Sequence, residues 1–179
     1  MHHITLISTG GTIEKTYDER SGTLTNARSI VPRMLAHLKL VETTINTVQL
    51  LSKDSLDLTD TDRHRIADTV AVLAAAEDCD AIVILHGTDT LATTGEMLHT
   101  RFDPPPVPVV LTGAMRPYEM KRSDALQNLN EALFASGVLS PGVYAVMHGR
   151  ALKFPGVVKD YDLGTFVYAG EKGLMANGK

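Results

Sequence analysis

The sequence predicts an α/β fold: a doubly wound, mostly parallel sheet with helices on both faces. Three observations carry that expectation. Short runs of aliphatic and β-branched residues recur at 4–9, 80–85, 107–112 and 143–147. Two of them, DAIVIL and VPVVLT, are apolar almost throughout, as strands buried on both faces are. Between the runs lie segments whose apolar residues recur at helical spacing, so strand and helix patterns alternate at least four times.

In order, the first strand is ITLISTGGTI, residues 4–13, which ends in Gly10-Gly11 and delivers Thr12 into a turn. Glycine tolerates backbone angles that other residues avoid, so the residue after such a bend can be held at the end of a sheet. Residues 14–29 lack a core pattern and read as a long surface loop, a candidate lid carrying Tyr17. Residues 29–40 read as a helix, with Val31, Met34, Leu35 and Leu38 on one face and Pro32 in its first turn. A short strand at 47–51 runs into the polar segment Lys53-Asp54-Ser55-Leu56-Asp57. Residues 59–77 form the best-marked helix, opened by a capping-box pair of Thr59 and Asp62 and striped by Ile66, Val70 and Leu73.

The strand at 80–85 ends in His86-Gly87-Thr88-Asp89-Thr90, and a helix follows over 90–100. Three successive prolines, 104–106, make a rigid connector. The strand at 107–112 ends in Gly113-Ala114-Met115-Arg116. The next helix starts near Ser123, turns Leu126, Leu129 and Leu133 inward and ends at Gly137. A strand at 143–147 follows, then short strands or a hairpin over 151–158 and 165–169, and a polar tail after Gly170.

A chain of 179 residues suits one domain, taken here as residues 1–179. Its net charge is −4 with no run of lysines or arginines, so nucleic acid and anionic membrane have no electrostatic support as partners. No apolar stretch approaches the roughly 18 residues that a span needs. The strand pattern begins immediately after Met1-His2-His3, so no signal peptide is expected. The one cysteine, Cys79, cannot form an internal disulfide, which fits a reducing cytoplasm, and it reads as a packing residue.

In a parallel sheet, ligands bind outside the carboxyl ends of the strands. All the unusual polar segments fall there: Gly10-Gly11-Thr12, Lys53-Asp54-Ser55, His86-Gly87-Thr88-Asp89 and Gly113-Ala114-Met115-Arg116. There is no phosphate loop, no dinucleotide glycine triplet and no Gly-x-Ser-x-Gly elbow. His86 has no companion at metal-ligand spacing and reads as structural. What remains is hydroxyls with an aspartate, and Thr12 is the candidate nucleophile. A threonine hydroxyl needs a base, and a tyrosine, an aspartate or a desolvated lysine could serve.

Three motifs, TGGTI at 9–13, HGTDT at 86–90 and TGAMRP at 112–117, together resemble the bacterial-type L-asparaginase family in order and spacing. That family includes glutaminase-asparaginases and a related amidotransferase subunit. DSLDL at 54–58 resembles its serine-bearing substrate loop. The resemblance implies a two-threonine device without metal or organic cofactor. Thr12 is then the acylated nucleophile, assisted by the loop tyrosine Tyr17. Thr88 works with Asp89 and a lysine, for which Lys159 matches better than Lys153. The implied substrate site comprises Gly11, Asp54, Ser55, Thr88, Asp89 and Ala114, with Ser55 on the α-carboxylate and Asp89 on the α-ammonium of L-asparagine.

Two departures from the family pattern accompany the resemblance. Larger members carry a second, C-terminal domain, for which this sequence shows no counterpart, and Leu56 stands where many have a glutamine. The expectation is therefore weak substrate binding and a homo-oligomer, dimer or tetramer. An amino-acid sensor without turnover stands as the alternative, as does action on glutamine or on an aminoacyl-linked amide.

Overall fold

A computed structural model describes residues 1–172. The chain begins with β1 (His2–Gly10), a 3-10 turn at Thr12–Glu14, β2 (Thr16–Asp18), β3 (Thr23–Thr25) and α1 (Val31–Leu35). Next come β4 (Thr43–Lys53), a 3-10 turn at Ser55–Asp57, α2 (Asp60–Ala74), β5 (Ala81–Leu85), α3 (Leu91–Arg101) and β6 (Pro108–Thr112). The described chain finishes with α4 (Ala125–Val138), β7 (Gly142–Met147), β8 (Arg150–Lys153), β9 (Val157–Asp160) and β10 (Thr165–Tyr168).

The main sheet has the order β4-β1-β5-β6-β7-β8. Its first five strands are parallel, and β8 alone runs antiparallel, folded back on β7. Alternation of side chains assigns the two faces. Ile7, Ile82, Ile84, Val109, Leu111, Val143 and Ala145 face α2 and α3 in one core. Ile4, Leu6, Val83, Leu85, Val110, Tyr144 and Val146 face α1 and α4 in the other. The doubly wound α/β expectation therefore holds, and the continuous apolar runs at β5 and β6 are fully buried strands.

Local chemistry sets the helix bounds. The Thr59 hydroxyl accepts from Asp62 N–H while the Asp62 carboxylate accepts from Thr59 N–H, the reciprocal cap that opens α2. Lys53 donates to both Asp62 oxygens at 2.9 Å, so the end of β4 is tied to the start of α2. Buried Ile66, Ala67, Val70 and Ala74 are its inner face, and Leu73 is only partly covered.

Four expectations need correction. The helix placed at 29–40 is a five-residue turn of α-helix, Val31–Leu35. Beyond it, His37 and Leu38 bond back three residues rather than four, a tightening that ends the helix. The loop at 14–29 contains the hairpin β2–β3, with Tyr17 paired to Leu24. The strand placed at 47–51 extends to eleven residues, because parallel pairing with β1 supplies backbone partners well beyond its apolar centre. The stretch at 151–158 is two strands broken by Phe154-Pro155-Gly156, so that β9 leaves the main sheet and pairs with β10 instead. The end of the polar tail, residues 173–179, lies outside the described residues.

Phe154 at that break is fully buried, with its ring against Gly95 of α3. A Cβ on Gly95 would fall 2.0 Å from the Phe154 Cζ. Alanine would gain about 1 kcal/mol of helix propensity, but overpacking a filled core costs about 1–3 kcal/mol. Gly95→Ala is expected to lower the unfolding free energy by up to about 2 kcal/mol. Urea titration of both proteins checks this, and an unchanged or higher midpoint would contradict the packing assigned to Phe154.

Candidate active site

Four loops leave the carboxyl ends of β1, β4, β5 and β6 and meet there. Their closeness rests on backbone without side chains. Gly10 and Gly11 have φ of +100° and +76°, a left-handed bend that glycine adopts without strain. A Cβ on Gly11 would fall 2.4 Å from the Gly87 nitrogen, and one on Gly87 would fall 2.5 Å from the Ser55 Oγ. The loops after β1, β5 and β4 are thus stacked directly on one another. Gly113 presses on the His86 carbonyl in the same manner, which brings in the loop after β6. Thr12 and Thr88 each follow one glycine of the touching pair Gly11 and Gly87.

Lys159 comes from elsewhere, the hairpin β9–β10. Its Nζ donates to Thr88 Oγ1 at 2.8 Å and to Asp89 Oδ1 at 2.7 Å. The Thr88 hydroxyl is buried, and its own proton points to Met115 Sδ at 3.7 Å. Lys153, the other lysine of this region, lies instead against the Tyr144 ring. Thr88, Asp89 and Lys159 are therefore brought together as a hydroxyl, a carboxylate and a cation in direct contact.

Other predicted site residues are placed as follows. Thr12 opens the 3-10 turn after Gly11 and is half-buried. Ser55 is 1% exposed, and its Oγ has no hydrogen-bond partner among the described residues. An unpartnered buried hydroxyl costs free energy unless a ligand or water completes it. Ala114 is fully buried in the loop after β6, within the core that α1 and α4 cover. Asp54 is partly exposed, with Lys15 Nζ holding its Oδ2 at 2.5 Å. That bond keeps the Asp54 carboxyl below its ordinary pKa. The Leu56 side chain points to solvent, 70% exposed. Tyr17 is exposed on the hairpin, its N–H donating to Glu119 at 3.0 Å, and no hydrogen bond joins its hydroxyl to Thr12.

Several residues that hold the site have no part in the sequence motifs. Glu14, the last residue of the Thr12 turn, is 2% exposed. It accepts from Ser8 Oγ, from Gly10 N–H at 3.2 Å and from Ser29 Oγ at 2.7 Å, joining β1 to the far end of the lid segment. Burial raises its pKa against those hydrogen bonds. Asn26 donates to the Gly11 carbonyl at 2.8 Å. Asp124, before α4, accepts from Met115 and Arg116 N–H and from His148 Nε2 at 2.8 Å, while His148 Nδ1 accepts from Thr165 at 3.0 Å. Burial opposes the Asp124 charge, but these donors outweigh it and hold its pKa well below the ordinary value. This network links the Ala114 loop to the hairpin that carries Lys159. A charged residue straight after TGGTI is a visible sign of Glu14; the Asp124 and Asn26 bonds have no local signature.

His86 is structural, as expected. It is fully buried, with Nδ1 donating to the Gly87 carbonyl at 2.8 Å and Nε2 accepting from Thr94 at 2.9 Å. The described residues include no group of three or more His, Cys, Asp or Glu placed to hold a metal. No described helix is long and apolar enough to cross a membrane. A concavity of about 600 Å³ lies elsewhere, between Met1, Val41, Phe134 and Val138.

The fold and this cluster define a class first: a parallel α/β protein whose strand-end loops present two threonines beside a lysine–aspartate pair. Residues 3–162 match the family described as asparaginase, N-terminal, and the chain belongs to the asparaginase family. It is 33% identical over 159 residues to an L-asparaginase of Thermococcus kodakarensis, covering 89% of this chain and 48% of that protein. It is 30% identical to a glutaminase-asparaginase of Pseudomonas aeruginosa, covering all of this chain and 52% of that one. A glutamyl-tRNA(Gln) amidotransferase component of Methanococcus vannielii is 30% identical over 84% of this chain and 35% of its own length. The solved T. kodakarensis L-asparaginase superposes with a TM-score of 0.83 at 32% identity, covering 93% of this chain and 51% of that one. The chain thus spans about half the length of the asparaginases it matches.

Burial pushes the His86 pKa down from 6.5 to about 4. Between those values the unfolded chain binds more protons than the folded one. The stability from keeping His86 neutral is full above pH 6.5 and is lost as pH falls toward 4, at up to about 1.4 kcal/mol per pH unit. Glu14, raised from 4.5, acts in the opposite sense, with stability lost as pH rises through its window. His86→Gln leaves the Glu14 contribution in place, so the difference isolates His86. Urea unfolding from about pH 7 to about pH 4 is expected to show a shallower acid decline in the variant, and parallel curves would contradict it.

Proposed function

We propose that this chain hydrolyses the side-chain amide of L-asparagine to L-aspartate and ammonia through a threonine acyl-enzyme. The observation that carries the reading is Lys159 bridging Thr88 Oγ1 and Asp89 Oδ1 from a hairpin remote in sequence. Such a bridge leads protons to and from a buried hydroxyl beside the Thr12 turn. The Thr12 hydroxyl attacks the amide carbon, its proton passes to the nitrogen, the C–N bond breaks and ammonia leaves. Water then adds to the ester, the bond to Thr12 Oγ breaks, and its proton returns to the threonine. Backbone N–H groups near Gly11 and Thr88 would meet the oxyanion, a donor effect worth about 3 kcal/mol each in comparable sites; the Gly11 N–H itself is taken by the Lys53 carbonyl at 2.8 Å. The unpartnered Ser55 hydroxyl suits the α-carboxylate, and Asp89 the α-ammonium. Tyr17 would act only once the hairpin closes over Thr12.

Weak binding belongs to the same reading, since Asp54 is neutralised by Lys15 and Leu56 contributes no polar contact. A cytoplasmic setting is proposed from the single, free, buried Cys79. A homo-oligomer is proposed from the exposed apolar side chains Val41, Phe134 and Val138.

A second reading has one observation in its favour. Arg116, Lys121 and Arg122 are exposed on the loop that follows Ala114. Cations there suit a polyanion-linked amide, and one relative is named a glutamyl-tRNA(Gln) amidotransferase component.

Ammonia release from L-asparagine and L-glutamine, measured side by side, tests the proposal. Release from asparagine with a millimolar KM is expected. Thr12→Val should abolish it, and Lys159→Met should lower kcat by about 10²–10⁴-fold. Release that survives Thr12→Val would remove Thr12 as nucleophile. A micromolar KM would overturn the weak-binding part. Binding without release would favour a sensor.

A further inference from the structure

Tyr161 lies outside the strand-end motifs. It is the first residue of the turn between β9 and β10, and its side chain is 67% exposed. Two observations set its position. The Lys159 Nζ sits over its ring, 4.8 Å from the centroid. The turn is also fixed: the Asp160 Oδ1 accepts from the N–H of both Asp162 and Leu163 at 3.0 Å, and Asp160 is 3% exposed. A large ring on so short a polar turn is not covered by the core. It lies instead against the ammonium of the site.

We propose that Tyr161 is a positioning residue for Lys159, its aromatic face closing the third side of the ammonium. An ammonium has three N–H donors. One goes to Thr88 Oγ1 and one to Asp89 Oδ1. The third meets the electron-rich face of the ring, where it would otherwise meet bulk water. The face attracts the cation and restricts rotation of the Lys159 end, so its proton-bearing atoms stay aimed at Thr88 and Asp89. The hydroxyl of Tyr161 has no part in this. Tyr17, also exposed, sits on the opposite hairpin with its backbone held by Glu119 and does not take this place.

The inference rests on the threonine–lysine reading of the site, and its test separates the two. Steady-state ammonia release is compared for the parent chain, Tyr161→Phe and Tyr161→Leu. Phenylalanine keeps the aromatic face, whereas leucine keeps apolar bulk without it. The Phe variant is expected within about twofold of the parent, and the Leu variant to lose about three- to tenfold in kcat, the range of a partly exposed cation–aromatic contact, with KM little changed. A Leu variant that matches the parent, or a Phe variant that falls as far as Leu, would overturn the role. If the parent releases no ammonia from any amide, the proposed function fails and Tyr161 is judged by a readout independent of turnover. Peptide mapping then follows modification of Lys159 by an amine-specific reagent. Labelling at least about threefold faster in Tyr161→Leu, with the Phe variant matching the parent, would support the cap. Equal rates in parent and both variants would remove it.

Discussion

The contact of Gly11 with Gly87 is the constraint on which the site depends. Strands in a parallel sheet are about 4.8 Å apart, but the loops that leave them diverge unless something draws them together. Here backbone meets backbone, with no room for a Cβ on either side. Ser55 stacks on Gly87 in turn, and Gly113 on His86. The two threonines are neighbours because the residues before them have no side chains. Directional bonds then refine what this contact makes possible.

Charge in the site is arranged in pairs. Lys159 faces Asp89, Lys15 faces Asp54 and Lys53 faces Asp62. Each pair ties together two separate segments of the chain. Partly buried charges of this kind are costly to leave unpaired, so each loop is held by the requirement to stay with its counter-ion. Ser55 Oγ and Thr112 Oγ1 stand apart, buried hydroxyls without a partner among the described residues. A buried hydroxyl left open at the end of a strand is free to hydrogen-bond a ligand.

What can be read from the sequence depends on how local each signal is. Strands β5 and β6 and the helix cap at Thr59 and Asp62 are legible because the pattern and its cause lie within a few residues. The apolar spacing of α1 misleads: it continues to Leu38, but the backbone tightens after Leu35. The hairpin at Tyr17 is invisible because its strands carry no apolar alternation and are held by remote bonds to Glu119 and from Asn26. Thr12, Ser55, Thr88 and Asp89 stand out because unusual residues cluster at strand ends. Glu14, Asp124 and Tyr161 do not, since their importance comes from partners that only the fold supplies.

The hairpin β9–β10 has a consequence for how the molecule comes into being. Every loop of the parallel sheet that borders the site emerges from the ribosome before Lys159 does. Chains fold from the N-terminus as they are made, so the sheet, Thr12, Thr88 and Asp89 can be in place while the bridging cation is still being synthesised. Asp89 meets water until that hairpin docks, with Phe166 and Val157 entering the core beside Phe154. Assembly of the charge cluster therefore follows that of the parallel sheet, and a nascent chain has the shape of the site before it has the chemistry.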